Sequence, residues 1–288
     1  MLQLARPGDV LSAVGRAHSI VASAYLLAPG PLLRALEDAA ERGARVIVRL
    51  EAEPHDDSRG PLAKLNRRTA RDLRRAGADA RVHALTHLKA VVCDGAVYLD
   101  DRNFAVHGDQ IVLRDGSSSA ARAVIDAVAG RHHPALRNFW TSKSDALAAE
   151  GRLLDGAAAA HAVDVETESF SWNGPVYGKL KRLAQRGVRC RLIVDARMLR
   201  GDAKEARALA RLQDAGVQVR AGNCDAKGAI VDAKMAWTGS ANCTSPYYDG
   251  AQTEWAVRTR SRPIVRALQS QFDAHWRSAK VPPHAALG

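Results

Sequence analysis

Apolar positions along the chain fall into two spacings, and each spacing predicts a different element. Near-continuous apolar runs at residues 19–26 and 45–50 predict strands covered on both faces. Between them, residues 31–41 carry apolar side chains at helical spacing and open with Pro31, whose missing N–H is no loss in a first turn. A second helix is predicted over 62–75, closed by Gly77, and strands over 80–84, 88–93 and 97–99. The Asp94-Gly95 pair between the last two is a hairpin signal.

The second half repeats this order. Strands are predicted at 162–168, 189–195, 217–220, 228–231 and 235–237, with helices at 176–186 and 203–215. Arg42-Gly43-Ala44-Arg45-Val46 answers to Arg186-Gly187-Val188-Arg189-Cys190, and Ala76-Gly77-Ala78 to Ala215-Gly216-Val217. Alternating strands and helices give an α/β fold, a sheet flanked by helices in each half. The boundary is expected in the Ala- and Gly-rich polar stretch 143–160, giving domains 1–145 and 146–288. Each half ends in a helix and an aromatic pair, 120–129 before Phe139-Trp140 and 263–272 before His275-Trp276, and these aromatics are expected to pack. The polar loops 51–60 and 245–250 are expected to rim a cleft.

Composition narrows the function classes. In 288 residues, 42 Lys and Arg against 31 Asp and Glu give a net charge of +11 and a pI near 9.9, which favours anionic partners. No run approaches the roughly 18 to 20 apolar residues that span a bilayer. The first fifteen residues lack the apolar core of a signal peptide, so a cytoplasmic protein without a membrane anchor is expected. Aromatic residues at 5% argue against a base-stacking surface for single-stranded nucleic acid. Cys93, Cys190, Cys224 and Cys243 have no CxxC spacing or nearby histidine pair, so neither a zinc pattern nor a disulfide framework is expected. Packing is the expected role of all four, although Cys224 and Cys243 flank a candidate site.

The chemistry lies in a cluster that occurs twice. His87-Leu88-Lys89 with Asp94 and Asn103 is answered by Asp225-Ala226-Lys227 with Asp232, Gly239, Ser240 and Asn242, in register to within one residue. The slip falls in a hairpin, where length varies most easily. Strand alternation sends residues 87 and 89 to one face and Leu88 to the core, so an imidazole and an ammonium share a cavity. Attack on a phosphodiester needs a nucleophile, positive charge on the non-bridging oxygens and an acid for the leaving oxygen. Lysines, asparagines and a serine supply the grip on the phosphate. Asp94 and Asp232 begin hairpins and are expected to be structural.

This duplicated pattern resembles the phospholipase D superfamily, whose motif is His-x-Lys, four residues, Asp, six residues, then Gly-Ser-x-Asn. The resemblance covers nearly the whole chain. It implies two phospholipase D-like lobes related by a pseudo-twofold, each a mixed β-sheet flanked by helices, with one active site between them, no metal or other cofactor, and a phosphohistidine intermediate. By that resemblance His87 is the nucleophile, and Lys89, Asn103, Lys227, Ser240 and Asn242 hold the phosphate. Members also orient the histidine with an acidic residue beyond each motif. Asp109 is the candidate partner of His87, and Glu254 stands in the corresponding place of the second half. The implied activity is a phosphoric diester hydrolase of phospholipase D type acting on a phospholipid or nucleic acid, and a monomer is expected.

Two departures qualify that implication. Asp100-Asp101-Arg102-Asn103 replaces Gly-Ser-x-Asn in the first copy, and Arg102 can pair with Asp101 or with the ligand. Asp225 replaces the second histidine, and flanking Lys89 and Lys227 are expected to favour its charged form, a poor proton donor near pH 7. Three alternatives follow: hydrolysis of substrates with good leaving groups, a proton from Cys224, His83 or His107, or a catalytically degenerate module that binds phosphate or nucleic acid without turnover.

Overall fold

The computed structural model describes residues 1–105, 110–131, 133–197, 199, 203–245 and 252–282. It divides into two compact units, Met1–Ser142 with Ala251–Trp255, and Lys143–Gly250 with Ala256–Gly288. The first unit contains β1 (Leu2–Ala5), α1 (Pro7–Arg16), β2 (Ser19–Ala24), α2 (Pro31–Glu41), β3 (Arg45–Glu51), α3 (Pro61–Arg75) and β4 (Asp79–His83). It continues with β5 (Ala90–Cys93), β6 (Ala96–Asp100), β7 (Val112–Asp115), α4 (Ser118–Val128) and β8 (Phe139–Ser142). Its sheet has the order β1-β7-β6-β5-β2-β3-β4, with β2, β3 and β4 parallel and every other neighbour antiparallel. The central strands read as apolar runs because helices cover the sheet: Ile20, Val48 and Leu50 are fully buried with Leu36 of α2 and Leu73 of α3.

The second unit contains α5 (Lys143–Asp155), β9 (Ala162–Thr167), α6 (Tyr177–Gln185), β10 (Arg189–Asp195), α7 (Ala203–Asp214) and β11 (Gln218–Gly222). After these come β12 (Gly228–Val231), β13 (Met235–Gly239), β14 (Thr253–Thr259) and α8 (Arg262–Ser278). Residues 253–255 of β14 belong to the first unit and the rest to the second. The strand order β11-β10-β9-β12-β13-β14 repeats β4-β3-β2-β5-β6-β7, with the same parallel and antiparallel pairings. Each unit is thus the mixed, helix-flanked sheet that the repeat predicts.

Two differences from the sequence reading stand out. The stretch in which the boundary is expected is occupied by the helix α5, with Ala146, Leu147, Leu153 and Leu154 buried and Glu150 buried among them. Its alanines and glycine are small because the helix packs closely, not because the chain is loose. The pattern also passed over β1, α1, β7 and β14, whose short or weakly apolar segments carry little periodicity of their own.

The one-residue slip between the copies lies where two hairpins differ. Cys93 pairs with Ala96 around Asp94-Gly95, while Val231 pairs with Met235 around one residue more. Asp94 and Gly95 both take positive φ (45° and 86°), which glycine accommodates. Asp232 and Ala233 take 51° and 50° in the longer turn.

Candidate active site

In the first unit the site forms where β5 is entered. Thr86 makes a parallel bridge to Thr253, His87 N donates to Thr253 O at 3.0 Å, and Thr253 N donates to Leu85 O at 2.9 Å. This short ladder sets Glu254 beside His87, whose Nδ1 lies 2.8 Å from Glu254 Oε2. The carboxylate is almost wholly buried, with its side chain 1% exposed, so the imidazole donates its Nδ1 proton there and presents the Nε2 lone pair outward. Glu254 is thus a partner of Nδ1, and Asp109, the partner expected from the sequence, lies outside the described residues. Leu88 is fully buried and Lys89 returns to the side of His87, its Nζ 3.4 Å from Nε2 and 3.3 Å from the His87 carbonyl oxygen. The alternation expected of a strand holds, although residues 87–89 precede the ladder of β5.

Residues outside the repeated motif complete this side. Glu51, at the buried end of β3, accepts the Thr86 amide at 2.6 Å and the Glu53 amide at 2.9 Å, fixing the backbone that carries His87. Tyr25, just beyond β2, sets its ring edge-on to His87 at 4.8 Å between centroids and lies under Lys89 Nζ at 5.7 Å. Its hydroxyl accepts the His55 amide at 2.5 Å, so the loop after β3 reaches this tyrosine. The available signal for Glu51 was that β3 and β10 both end in an acid; Tyr25 carried none. Asn103, at φ 57°, accepts the Leu26 amide with Oδ1 at 3.1 Å, which commits the oxygen to the backbone.

The departures in Asp100-Asp101-Arg102 are structural. Asp100 is fully buried and accepts from Phe104 N, from Gln110 Nε2 at 2.6 Å and from Arg102 N at 3.0 Å; burial pushes its carboxyl up while these bonds hold it down. Trp255 Nε1 donates to the Asp100 carbonyl at 3.0 Å. Asp101 lies 3.8 Å from Arg102 Nε and accepts the Ile111 amide, so Arg102 pairs with Asp101.

The second unit carries the answering residues with different partners. Asp195, at the end of β10, accepts the Cys224 amide at 3.1 Å as Glu51 accepts that of Thr86. Burial alone would raise the Asp195 carboxyl, but hydrogen bonds from Arg197 and from the Cys224 amide hold it below the usual range. Arg197 also reaches Asp225 Oδ1 at 3.1 Å, placing a cation on the residue that replaces the second histidine, while Lys227 Nζ donates to the Asp225 carbonyl at 2.6 Å. Lys227 Nζ lies 3.0 Å from Glu168 Oε2, and Glu168 occupies the place that Tyr25 holds in the first unit. The lysine of the second copy is thus paired with a carboxylate where that of the first lies over an aromatic ring. Asn242 Oδ1 accepts the Ser169 amide at 3.1 Å, repeating Asn103, and Ser240 is fully buried. Asp94 takes the His18 and Ser19 amides and Asp232 those of His161 and Ala162, confirming both as structural.

The proton sources considered in the sequence fare unequally. Cys224 is fully buried and burial holds its thiol well above the ordinary range, which removes it as an acid near neutrality. His83 is exposed and directs Nδ1 at the Ala84 carbonyl oxygen, and His107 lies outside the described residues. Cys93 and Cys190 are buried as packing residues.

Residues 154–276 match the family model described as cardiolipin synthase, PLD-like domain. No curated protein matches the chain. Among solved structures it is similar to phosphatidylserine synthase from Haemophilus influenzae Rd KW20, with TM-score 0.70 and 10% identity over 98% of this chain and 87% of that one. It is also similar to polyphosphate kinase from Porphyromonas gingivalis, with TM-score 0.69 and 14% identity over 96% of this chain and 47% of the other. The chain therefore spans about half the length of that kinase, and at these identities the likeness is one of fold.

Proposed function

We propose that the chain is a member of the phospholipase D superfamily and a phosphodiesterase whose nucleophile is His87 Nε2. The observation that carries this reading is the His87–Glu254 hydrogen bond of 2.8 Å, which orients the lone pair on Nε2 and stabilises the imidazolium that forms on attack. Nε2 bonds to phosphorus, the P–O bond to the leaving group breaks, and water then cleaves the N–P bond to regenerate the imidazole. Lys89, 3.4 Å from Nε2, offers positive charge to a non-bridging oxygen of a phosphate being attacked there, and the Asn103 amide offers a neutral donor. The duplicated spacing in the sequence extends the same holding role to Lys227, Ser240 and Asn242. Phospholipid and nucleic-acid diesters are both in the substrate class.

Asp225 favours a second reading, phosphate or polyanion binding without turnover, because a carboxylate engaged by Arg197 at 3.1 Å stands where the motif has its second histidine. Bis(p-nitrophenyl) phosphate separates the two, since its leaving group needs no acid. The expected outcome is slow turnover by the wild type, an acid-labile phosphoramidate trapped on His87 by rapid quench, and loss of both in His87→Ala. Turnover that survives His87→Ala overturns the assignment of the nucleophile, and absence of turnover in the wild type favours the binding reading.

A further inference from the structure

Behind the second copy of the motif, three side chains from distant parts of the sequence converge within the second unit. Glu166 of β9, Cys224 in the segment entering β12 and His275 of α8 each bring one donor atom into a cluster, and these atoms all lie within 4.8 Å of one another. His275 Nδ1 is 2.9 Å from Glu166 Oε2, and Cys224 Sγ is 3.9 Å from the same oxygen. Glu166 and Cys224 are buried at 3% and 0% exposure, and the His275 side chain is 12% exposed. None of them belongs to the phosphate-binding set.

We propose that Glu166, Cys224 and His275 form a binding site for a zinc-like divalent transition metal. Zinc bonds of about 2.0 to 2.3 Å to oxygen, nitrogen and sulfur at tetrahedral angles place neighbouring donors about 3.3 to 3.8 Å apart. The two separations above bracket that range and the third, between Cys224 Sγ and His275 Nδ1, is within 4.8 Å, so seating the ion needs shifts of up to about 1 Å. One thiolate, one imidazole and one carboxylate suit zinc and exclude calcium and magnesium, which take oxygen ligands. Thiolate and carboxylate together balance the ion's two positive charges in a buried setting, and the neutral imidazole adds none. Binding releases the thiol proton to solvent and leaves the imidazole proton on Nε2, so that Nδ1 can donate its lone pair. The fourth position falls to solvent on the open side of His275.

Such an ion would tie α8 and the backbone at Cys224 to β9, and Cys224 directly precedes Asp225 and lies three residues before Lys227. The site is therefore structural, holding the second copy of the motif in place without entering the reaction. It does not rest on the phosphodiesterase reading, and its test reads metal directly.

The experiment uses the full chain prepared without a metal-binding tag, dialysed against zinc or cobalt(II), desalted and analysed by elemental mass spectrometry and absorption spectroscopy. One ion per chain is expected, and the cobalt form should show sulfur-to-cobalt charge transfer in the near ultraviolet and the intense visible bands of a tetrahedral centre. Cys224→Ser should lose the charge transfer and His275→Gln the tetrahedral bands, while Cys93→Ala, in the other unit, keeps both. Should a variant fail to fold by circular dichroism, the wild-type charge-transfer band alone decides, because it requires a thiolate ligand. Less than one ion per wild-type chain, or equal uptake and spectra in Cys224→Ser and His275→Gln, overturns the site.

Discussion

At the scale of single residues, the fate of His87 depends on which carboxylate holds its Nδ1. Glu254 Oε2 sits there at 2.8 Å, so replacing that carboxylate removes both the tautomer lock and the countercharge for the imidazolium. Glu254→Gln is expected to lower kcat on an activated diester by about 10²- to 10⁴-fold with little change in KM, the range of a lost acid–base relay. Asp109→Asn should leave kcat within roughly tenfold on the same scale. Equal losses in the two variants would return Asp109 to the role that sequence spacing assigned it. The spacing itself was legible: His87, Lys89 and Asn103, with Lys227 and Asn242, are recognisable because a two-residue alternation and a hairpin of nearly fixed length leave little freedom. The identity of the carboxylate was not, because it depends on a bridge between Thr86 and Thr253, whose separation along the chain no local pattern encodes.

At the scale of elements, strong periodicity was read well and small residues were misread. The helix Pro31–Glu41 and the strand Arg189–Asp195 sit where the pattern places them, each with an unbroken apolar stripe or run. The helix α5 lies where the domain boundary is expected, and no helix is predicted there because alanine and glycine signal both loose chain and close packing, which only its buried face tells apart. That face carries a titratable group with a measurable consequence. Glu150 is fully buried against Cys243, whose Sγ lies 3.3 Å from Oε1, and burial pushes its carboxyl up to about 8 from an ordinary value of 4.5. A carboxyl that binds its proton more tightly folded than unfolded stabilises the fold fully below pH 4.5, and that contribution is lost as pH rises toward 8. One proton of linkage corresponds to a slope of about 1.4 kcal/mol per pH unit, an upper bound for this site. Thermal unfolding from pH 5 to pH 8 should therefore show Tm falling more steeply in the wild type than in Glu150→Gln, which keeps the shape and cannot ionise. Parallel profiles for the two proteins would mean that Glu150 does not titrate in the folded state.

At the scale of the whole molecule, the net charge of +11 has to be located before it explains anything. Internal groups such as Arg191 with Asp164 and Asp273, or Lys227 with Glu168, carry none of that excess, since each cation there is matched by at least one acid. A concentrated, outward share lies on α3, where Lys64, Arg67, Arg68, Arg71, Arg74 and Arg75 are all exposed with Asp72 the acid among them. Their spacing of three and four residues makes one cationic stripe, while Ala63, Ala70 and Leu73 face the sheet. The exposed ion pairs of Asp72 with Arg68 and Arg75 are worth little and compete weakly with a polyanion. A duplex of arbitrary sequence should therefore bind with an affinity that falls steeply as salt rises, by about 0.9 in the logarithmic slope per phosphate neutralised. Replacing Arg67, Arg68 and Arg71 by alanine, the best helix former, should leave the fold intact and flatten that slope by up to about 2.7. A slope unchanged by the triple substitution would place the polyanion elsewhere on the protein. A flattened slope with hydrolysis of a small activated diester intact would separate holding a polyanion, done by α3, from the chemistry at His87.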